Sequence, residues 1–111
     1  MSMLDLKSGY WQVKISEEDK LKTALMTPHG LFVFNRMPFG LKNAPATLQR
    51  IIDKFKTSLP KVLIVTYLDD IIICTENFKS HIEDLKSVFE KLKILHLNKN
   101  KCFFCRSRVK Y

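Results

Sequence analysis

Apolar and polar positions along this chain repeat with two different periods. The least interrupted apolar stretch is Val62-Leu63-Ile64-Val65-Thr66-Tyr67-Leu68, resumed after two aspartates by Ile71-Ile72-Ile73-Cys74. Both runs are rich in β-branched residues and read as buried strands. Asp69 and Asp70 then fall at the tight reversal of a β-hairpin. Upstream, Ser2 to Leu6 reads as a short strand closed by a Lys7-Ser8-Gly9 turn, and Trp11-Gln12-Val13-Lys14-Ile15 alternates apolar with polar. Ser16 followed by Glu17, Glu18 and Asp19 has N-cap character with acids in a first turn, which predicts a short helix. Thr23 to Thr27 and Leu31 to Arg36 flank Pro28-His29-Gly30, the signal of a hairpin with a three-residue loop.

Two longer segments carry the helical period. Met37-Pro38-Phe39-Gly40 breaks the chain, and Asn43 can cap the helix that follows, with Ala44-Pro45 in its first turn. Ala44, Leu48, Ile51, Ile52 and Phe55 recur at helical spacing until Pro60 ends the segment. Phe78, Ile82, Leu85, Phe89, Leu92 and Leu95 mark a second amphipathic helix. Its other face carries Glu83–Lys86 and Glu90–Lys93 in favourable i,i+3 order. Lys101 to Tyr111 reads as a final strand. Strands and helices that do not strictly alternate predict an α+β fold, an antiparallel sheet with helices on one face.

Composition narrows the class. The chain has 111 residues, enough for one domain, and contains no repeat, low-complexity tract or linker. Its 46% apolar and 27% charged content is that of a globular protein. No apolar run approaches the ~20 residues of a membrane span, so no membrane partner is expected. The N-terminus lacks the basic-then-apolar order of a signal peptide. This predicts an intracellular, cytoplasmic or nuclear product that is not secreted and keeps its thiols reduced. Three cysteines argue against a disulfide framework. Cys102 and Cys105 form a lone CxxC that only Cys74 and His96 could complete as a zinc site; ordinary strand packing is the other reading. The net charge of +8 suits a polyanionic partner, or simply a soluble basic domain.

The acid pair adds candidate chemistry. Two carboxylates about 4 Å apart repel by roughly 4 kcal/mol at an effective dielectric near 20. Asn-Gly would make the same turn without that repulsion. A hard divalent cation would account for the acids, and a solvated turn is the alternative. A third acid, Asp5, ends another short apolar segment. The aromatic pair Tyr10-Trp11 follows it, and Gln49 and Arg50 lie on the polar side of the first long helix.

These features occur in a recognisable order. Leu4-Asp5-Leu6-Lys7-Ser8-Gly9-Tyr10-Trp11-Gln12 resembles the first catalytic motif of reverse transcriptases from Ty3/gypsy-type long-terminal-repeat retrotransposons. Phe34 through Gln49, with Met37-Pro38-Phe39-Gly40 and Ala46-Thr47-Leu48-Gln49, resembles the second. Tyr67-Leu68-Asp69-Asp70 matches the YxDD box. His81…Leu85…Val88-Phe89…Leu92…Leu97-Asn98…Lys101-Cys102-Phe103 is similar to the helix and strand that follow it. The resemblance spans nearly the whole chain, in the family's order and spacing.

The resemblance implies the palm of a right-hand polymerase, an antiparallel sheet with two helices packed on one face. It implies an RNA-directed DNA polymerase that joins a primer 3′-hydroxyl to a deoxynucleoside triphosphate (dNTP) on an RNA or DNA template-primer duplex. Two magnesium ions, or manganese in their place, would be held by Asp5 and Asp69, with Asp70 as supporting acid. By the same resemblance Tyr10 lies beneath the sugar and rejects a 2′-hydroxyl, Phe39 and Gly40 shape the nucleotide pocket, and Tyr67 abuts the primer end. Gln49 lies near template or nucleotide, and Lys101 near the triphosphate. A half-buried core tyrosine, a solvated helix glutamine and one charge in a basic tail remain the plainer readings of Tyr10, Gln49 and Lys101. Leu48 stands where the family usually has Phe, a tolerable apolar swap. Residues 1–111 are expected to form a single partial domain, with fingers, thumb and ribonuclease H segments absent. Weak or no activity in isolation and some uncovered apolar surface follow from that. The alternative is a non-catalytic basic nucleic-acid-binding module or a retroelement relic.

Overall fold

The computed structural model describes residues 1–109. A three-stranded antiparallel sheet forms its centre, in the order β1 (Ser2–Asp5), β5 (Asp70–Cys74), β4 (Leu63–Tyr67). The β-branched run supplies the middle strand, which is buried along Ile71, Ile72 and Ile73. Alternation splits the sheet into two faces. Leu4, Ile64, Ile71 and Ile73 share one face, and on it pack α2 (Ala44–Thr57) and α3 (Phe78–Lys91) through Leu48, Ile52, Leu85 and Val88. On the opposite face Leu63, Val65 and Tyr67 are exposed, so the first apolar run is not the buried strand expected but an edge strand covered on one face only.

The helices follow their predicted spans, with Pro45 in the first turn of α2, where a missing N–H removes no helical bond. Asn43, however, makes no side-chain capping bond. Its φ of −96° and ψ of 1° lie outside the extended conformation that an N-cap uses. Ser16 also fails to cap α1 (Glu17–Lys20), because its hydroxyl donates to the Asp19 carboxylate at 2.9 Å. Among the described residues the ion pairs are Lys20–Glu17 and Lys22–Asp19, and neither pair expected on α3 closes.

The expected final strand and the expected loop of the first hairpin are corrected. The final segment is not a strand: among the described residues Phe103 bridges Met3, exchanging backbone hydrogen bonds of 2.7 and 2.8 Å, and Arg106 exchanges a separate pair with Met1 at 2.8 and 2.9 Å. Cys105 then turns left-handed, with φ 53°, and interrupts the pairing. Lys110 and Tyr111, which the expected strand included, lie outside the described residues. The alternating stretch at Trp11–Ile15 begins instead as a 3-10 turn, Gly9–Gln12, because Ser8 adopts a left-handed φ of 52°. Only Lys14 bridges Arg36. The hairpin of β2 (Leu25–Thr27) and β3 (Gly30–Phe32) has the two-residue loop Pro28-His29, since Thr27 pairs with Gly30. Its second strand stops early because the Thr23 hydroxyl accepts the Phe34 N–H. Leu25, Met26, Leu31 and Phe32 on this hairpin are exposed, so uncovered apolar surface is present as expected.

Candidate active site

The turn between β4 and β5 consists of Leu68 and Asp69, since Tyr67 pairs with Asp70. Only one of the two adjacent acids therefore lies in the reversal; Asp70 is the first residue of β5. Leu68 has φ 50°, a conformation that hairpin turns usually assign to Gly or Asn. This strained backbone sits directly beside the acid pair, the kind of location where strain accompanies function.

Asp5 reaches the same place through strand register. It pairs with Asp70 across β1 and β5. The Leu6 N–H donates to the Asp69 carbonyl at 2.8 Å. That bond makes Asp5–Asp70 a non-hydrogen-bonded antiparallel pair, in which side chains on one face approach most closely. The backbone of Asp5 is turned outward and held from the other side. Its N–H donates to Cys102 Sγ at 3.5 Å, and its carbonyl accepts the Asn98 N–H at 2.8 Å. Cys102 thus has a backbone partner at the acid cluster. Among the described residues no group of three His, Cys, Asp or Glu side chains is placed to hold a metal ion, neither at the CxxC nor at Asp5, Asp69 and Asp70.

The electrostatics record the crowding. Burial first, then the charges of Asp5 and Asp70, push the Asp69 carboxyl above its ordinary range. Burial and then Asp5 push Asp70 in the same direction. Lys101 opposes both shifts, which places its positive charge within influence of the acids. One carboxylate oxygen, Asp69 Oδ1, is buried with no hydrogen-bond partner among the described residues. An unpartnered, desolvated carboxylate oxygen is costly unless something positive meets it. The donor chemistry, hard carboxylate oxygens with excess negative charge, fits a divalent cation of the magnesium class. In the present arrangement Asp69 Oδ1 faces Gly9.

Tyr10 is half-buried against the core and meets Phe39 edge-on, with ring centroids 5.1 Å apart. Trp11 contacts both Phe34 and Phe39 at 6.0 Å, which completes an aromatic cluster. Phe39 itself is 60% exposed and open to a ligand. Gly40 has φ 90° with no protein atom within 4 Å of a Cβ position, so its glycine serves backbone conformation. The Gln49 amide donates to Asp53 at 3.0 Å and to Thr66 on β4 at 3.4 Å. Tyr67, 65% exposed, stands on the same face as Asp70, its cross-strand neighbour.

Two supporting networks have no signal in the local sequence. The Gln12 amide donates to the carbonyls of Lys7 (2.7 Å) and His96 (2.8 Å) and accepts the His96 N–H (2.7 Å). It thereby fastens the turn after Asp5 to the loop after α3. Buried His81 bonds Ser2 Oγ through Nε2 at 2.6 Å and Thr75 Oγ1 through Nδ1 at 2.8 Å. Ser2 Oγ also accepts the Cys105 N–H at 3.0 Å. Burial, followed by the N-terminal ammonium charge, lowers the His81 pKa, and Asp84 partly opposes this.

Comparison with known proteins settles the family. The sequence family described as reverse transcriptase (RNA-dependent DNA polymerase) matches residues 1–111. This chain belongs to the reverse transcriptase family. Its relatives include the retrovirus-related Pol polyprotein from transposon opus of Drosophila melanogaster, 41% identical over 97% of this chain and 11% of that protein. The transposon Tf2-3 polyprotein of Schizosaccharomyces pombe is 36% identical over 97% of this chain and 8% of that protein. The retrotransposon resemblance of the motifs thus holds, and these relatives are Ty3/gypsy-like. Among solved structures, foamy viral protease-reverse transcriptase in complex with an RNA/DNA hybrid superposes with a TM-score of 0.88. It is 28% identical and covers 99% of this chain and 15% of that chain. The same enzyme with double-stranded DNA also gives a TM-score of 0.88, at 28% identity, covering 99% of this chain and 21% of that one. The reverse transcriptase fold is therefore that of the polymerase palm, as the sheet with two helices on one face also indicates. The chain spans about a tenth of the length of the curated relatives it matches.

Proposed function

We propose that this chain is the palm of an RNA-directed DNA polymerase, a single partial domain that works with fingers, thumb and ribonuclease H segments. The observation that carries this reading is the register that sets Asp5 opposite Asp70 and beside Asp69. Acids distant in sequence thereby share one end of one sheet. In the reaction, the primer 3′-oxygen bonds to the α-phosphorus of a dNTP while the bond to the bridging oxygen breaks. Pyrophosphate leaves with that electron pair, and the hydroxyl gives its proton to water. Two magnesium ions, or manganese in their place, fit Asp5 and Asp69 with Asp70 in support, and when bound supply positive charge to the attacking and leaving oxygens.

The other residues bind and orient. Tyr10, braced by Phe39, lies beneath the sugar and excludes a 2′-hydroxyl, and Gly40 with Phe39 shapes the nucleotide pocket. Tyr67 seats the primer end, and Gln49, tied to Thr66, lies near template or nucleotide. Lys101 stabilises charge on the triphosphate. The RNA or DNA template-primer partner is supported by the +8 charge and by the nucleic acids in the foamy viral complexes. An intracellular location suits such substrates, and among the described residues no helix is long and apolar enough to cross a membrane. Positioning supplies much of phosphoryl-transfer catalysis, so the chain alone polymerises weakly or not at all.

Primer extension on an RNA template with magnesium tests this. Faint extension that disappears in Asp69→Asn supports the reading, and extension that survives Asp69→Asn overturns it. One observation favours a second reading, a non-catalytic nucleic-acid-binding module: no three acids among the described residues are placed to hold an ion. That module would bind a primer-template duplex equally well in chelator, with steep salt dependence.

A further inference from the structure

Gly9 lies buried at the start of the 3-10 turn, four residues after Asp5. A Cβ built on it would stand 2.1 Å from Asp69 Oδ1, 3.2 Å from Asp69 Cγ and 3.1 Å from Leu48 Cδ2. The first distance is far inside any real contact. The missing side chain at position 9 is therefore the space that the Asp69 carboxylate occupies. The backbone φ of Gly9 is not among the left-handed ones, so conformational freedom does not explain the glycine.

Both backbones are tied in place. The Asp69 carbonyl is fixed by the Leu6 N–H at 2.8 Å, and its turn is closed by the Tyr67–Asp70 pair. The Gly9 turn is held behind by α2, whose Leu48 is fully buried, and ahead by the three bonds of Gln12. What can move is the Asp69 side chain, by rotation about its own bonds.

We propose that Gly9 is a positioning residue for Asp69: the bare backbone at position 9 forms a notch that holds the Asp69 carboxylate beside Asp5 and Asp70, and any side chain there turns it out. The consequence for catalysis rests on the metal-site reading above, but the contact itself does not. Because the atom displaced is the end of a side chain, Gly9→Ala leaves the fold standing while it removes Asp69 from the cluster. The desolvated, unpartnered Oδ1 also gains water when expelled. The stability effect of Gly9→Ala thus depends on whether Asp69 is present.

The experiment is a double-substitution cycle on the full chain, comparing wild type, Gly9→Ala, Asp69→Ala and the double variant by thermal unfolding in chelator. Mn2+ binding is then titrated with the metal alone. The change in Tm caused by Gly9→Ala is expected to differ by about 4 °C or more between the wild-type and Asp69→Ala backgrounds. Equal changes in both backgrounds overturn the proposal and make Gly9 a packing residue against Leu48. If Gly9→Ala alone fails to fold, the double variant must refold, and its failure overturns the proposal equally. For the metal, Gly9→Ala is expected to bind Mn2+ at least tenfold more weakly than wild type, with no further loss in the double variant. Wild type that binds no Mn2+ refutes the metal-site reading while leaving the cycle to decide on Gly9. Unchanged Mn2+ affinity in a folded Gly9→Ala chain refutes the positioning role.

Discussion

Replacing Asp70 by Asn should stabilise the metal-free chain. Asp70 faces Asp5 in a non-hydrogen-bonded pair, whose Cα atoms are ~4.5 Å apart in antiparallel sheets. With carboxylates about 5 Å apart and an effective dielectric near 20, the repulsion is about 3 kcal/mol. Water on the open face screens part of it, and the part recovered by an isosteric amide is about 1–2 kcal/mol. For a chain of this size that corresponds to a rise in Tm of ~4–15 °C. The sign with pH follows from the raised pKa of Asp70. The penalty is present in full above the folded-state value and fades as pH falls through that value toward the ordinary 3.8. The difference between wild type and Asp70→Asn should therefore be largest near neutrality and shrink on acidification. Groups remote from the acids, His81 included, contribute to both proteins and cancel in the difference, whereas Asp69, which Asp70 also pushes upward, relaxes with the substitution and adds to the same trend. Saturating magnesium should reverse the order. A ligand that binds only the folded state at a hundred times its Kd adds about 2.7 kcal/mol, and the amide weakens that binding. The assay is thermal unfolding followed by circular dichroism in chelator and in magnesium, from pH 7 to pH 4. An Asp70→Asn chain that melts lower than wild type in chelator at pH 7 refutes the repulsion argument, as does a difference independent of pH.

Three other outcomes are expected. His81→Ala should lower stability by about 2–4 kcal/mol in urea unfolding, because it empties a buried site and leaves the Ser2 and Thr75 hydroxyls without their partner. In wild type the lowered His81 pKa means its contribution is complete above the unfolded value of 6.5 and lost as pH falls below it, and His81→Ala should abolish that slope. Gln12→Ala should cost about 1–3 kcal/mol through three lost hydrogen bonds, and amide exchange should rise first at His96, whose N–H loses its acceptor. Tyr67→Ala, at an exposed position, should shift Tm by only a degree or two yet weaken primer-template binding severalfold in an anisotropy titration; unchanged affinity would remove Tyr67 from the interface.

The sequence by itself determined the elements whose side chains repeat with a single period. The Ile71–Ile73 run read as a buried strand, and the spacings through Leu48 and Ile52 and through Leu85 and Val88 read as helices presenting one face, as the structure has them. The motif order around Asp5, Phe39 and Asp69-Asp70 was also legible, because chemistry restricts residue type there. Hydrophobic period does not register left-handed backbone at Cys105, and that residue interrupted the final strand it suggested. Nor does it register partners across the chain. Only tertiary structure placed Asp5 opposite Asp70, Gly9 against Asp69 and His81 on Ser2, because each depends on which strand lies beside which and in what register. A one-residue slip between β1 and β5 would leave every local pattern intact and carry Asp5 to the other face of the sheet.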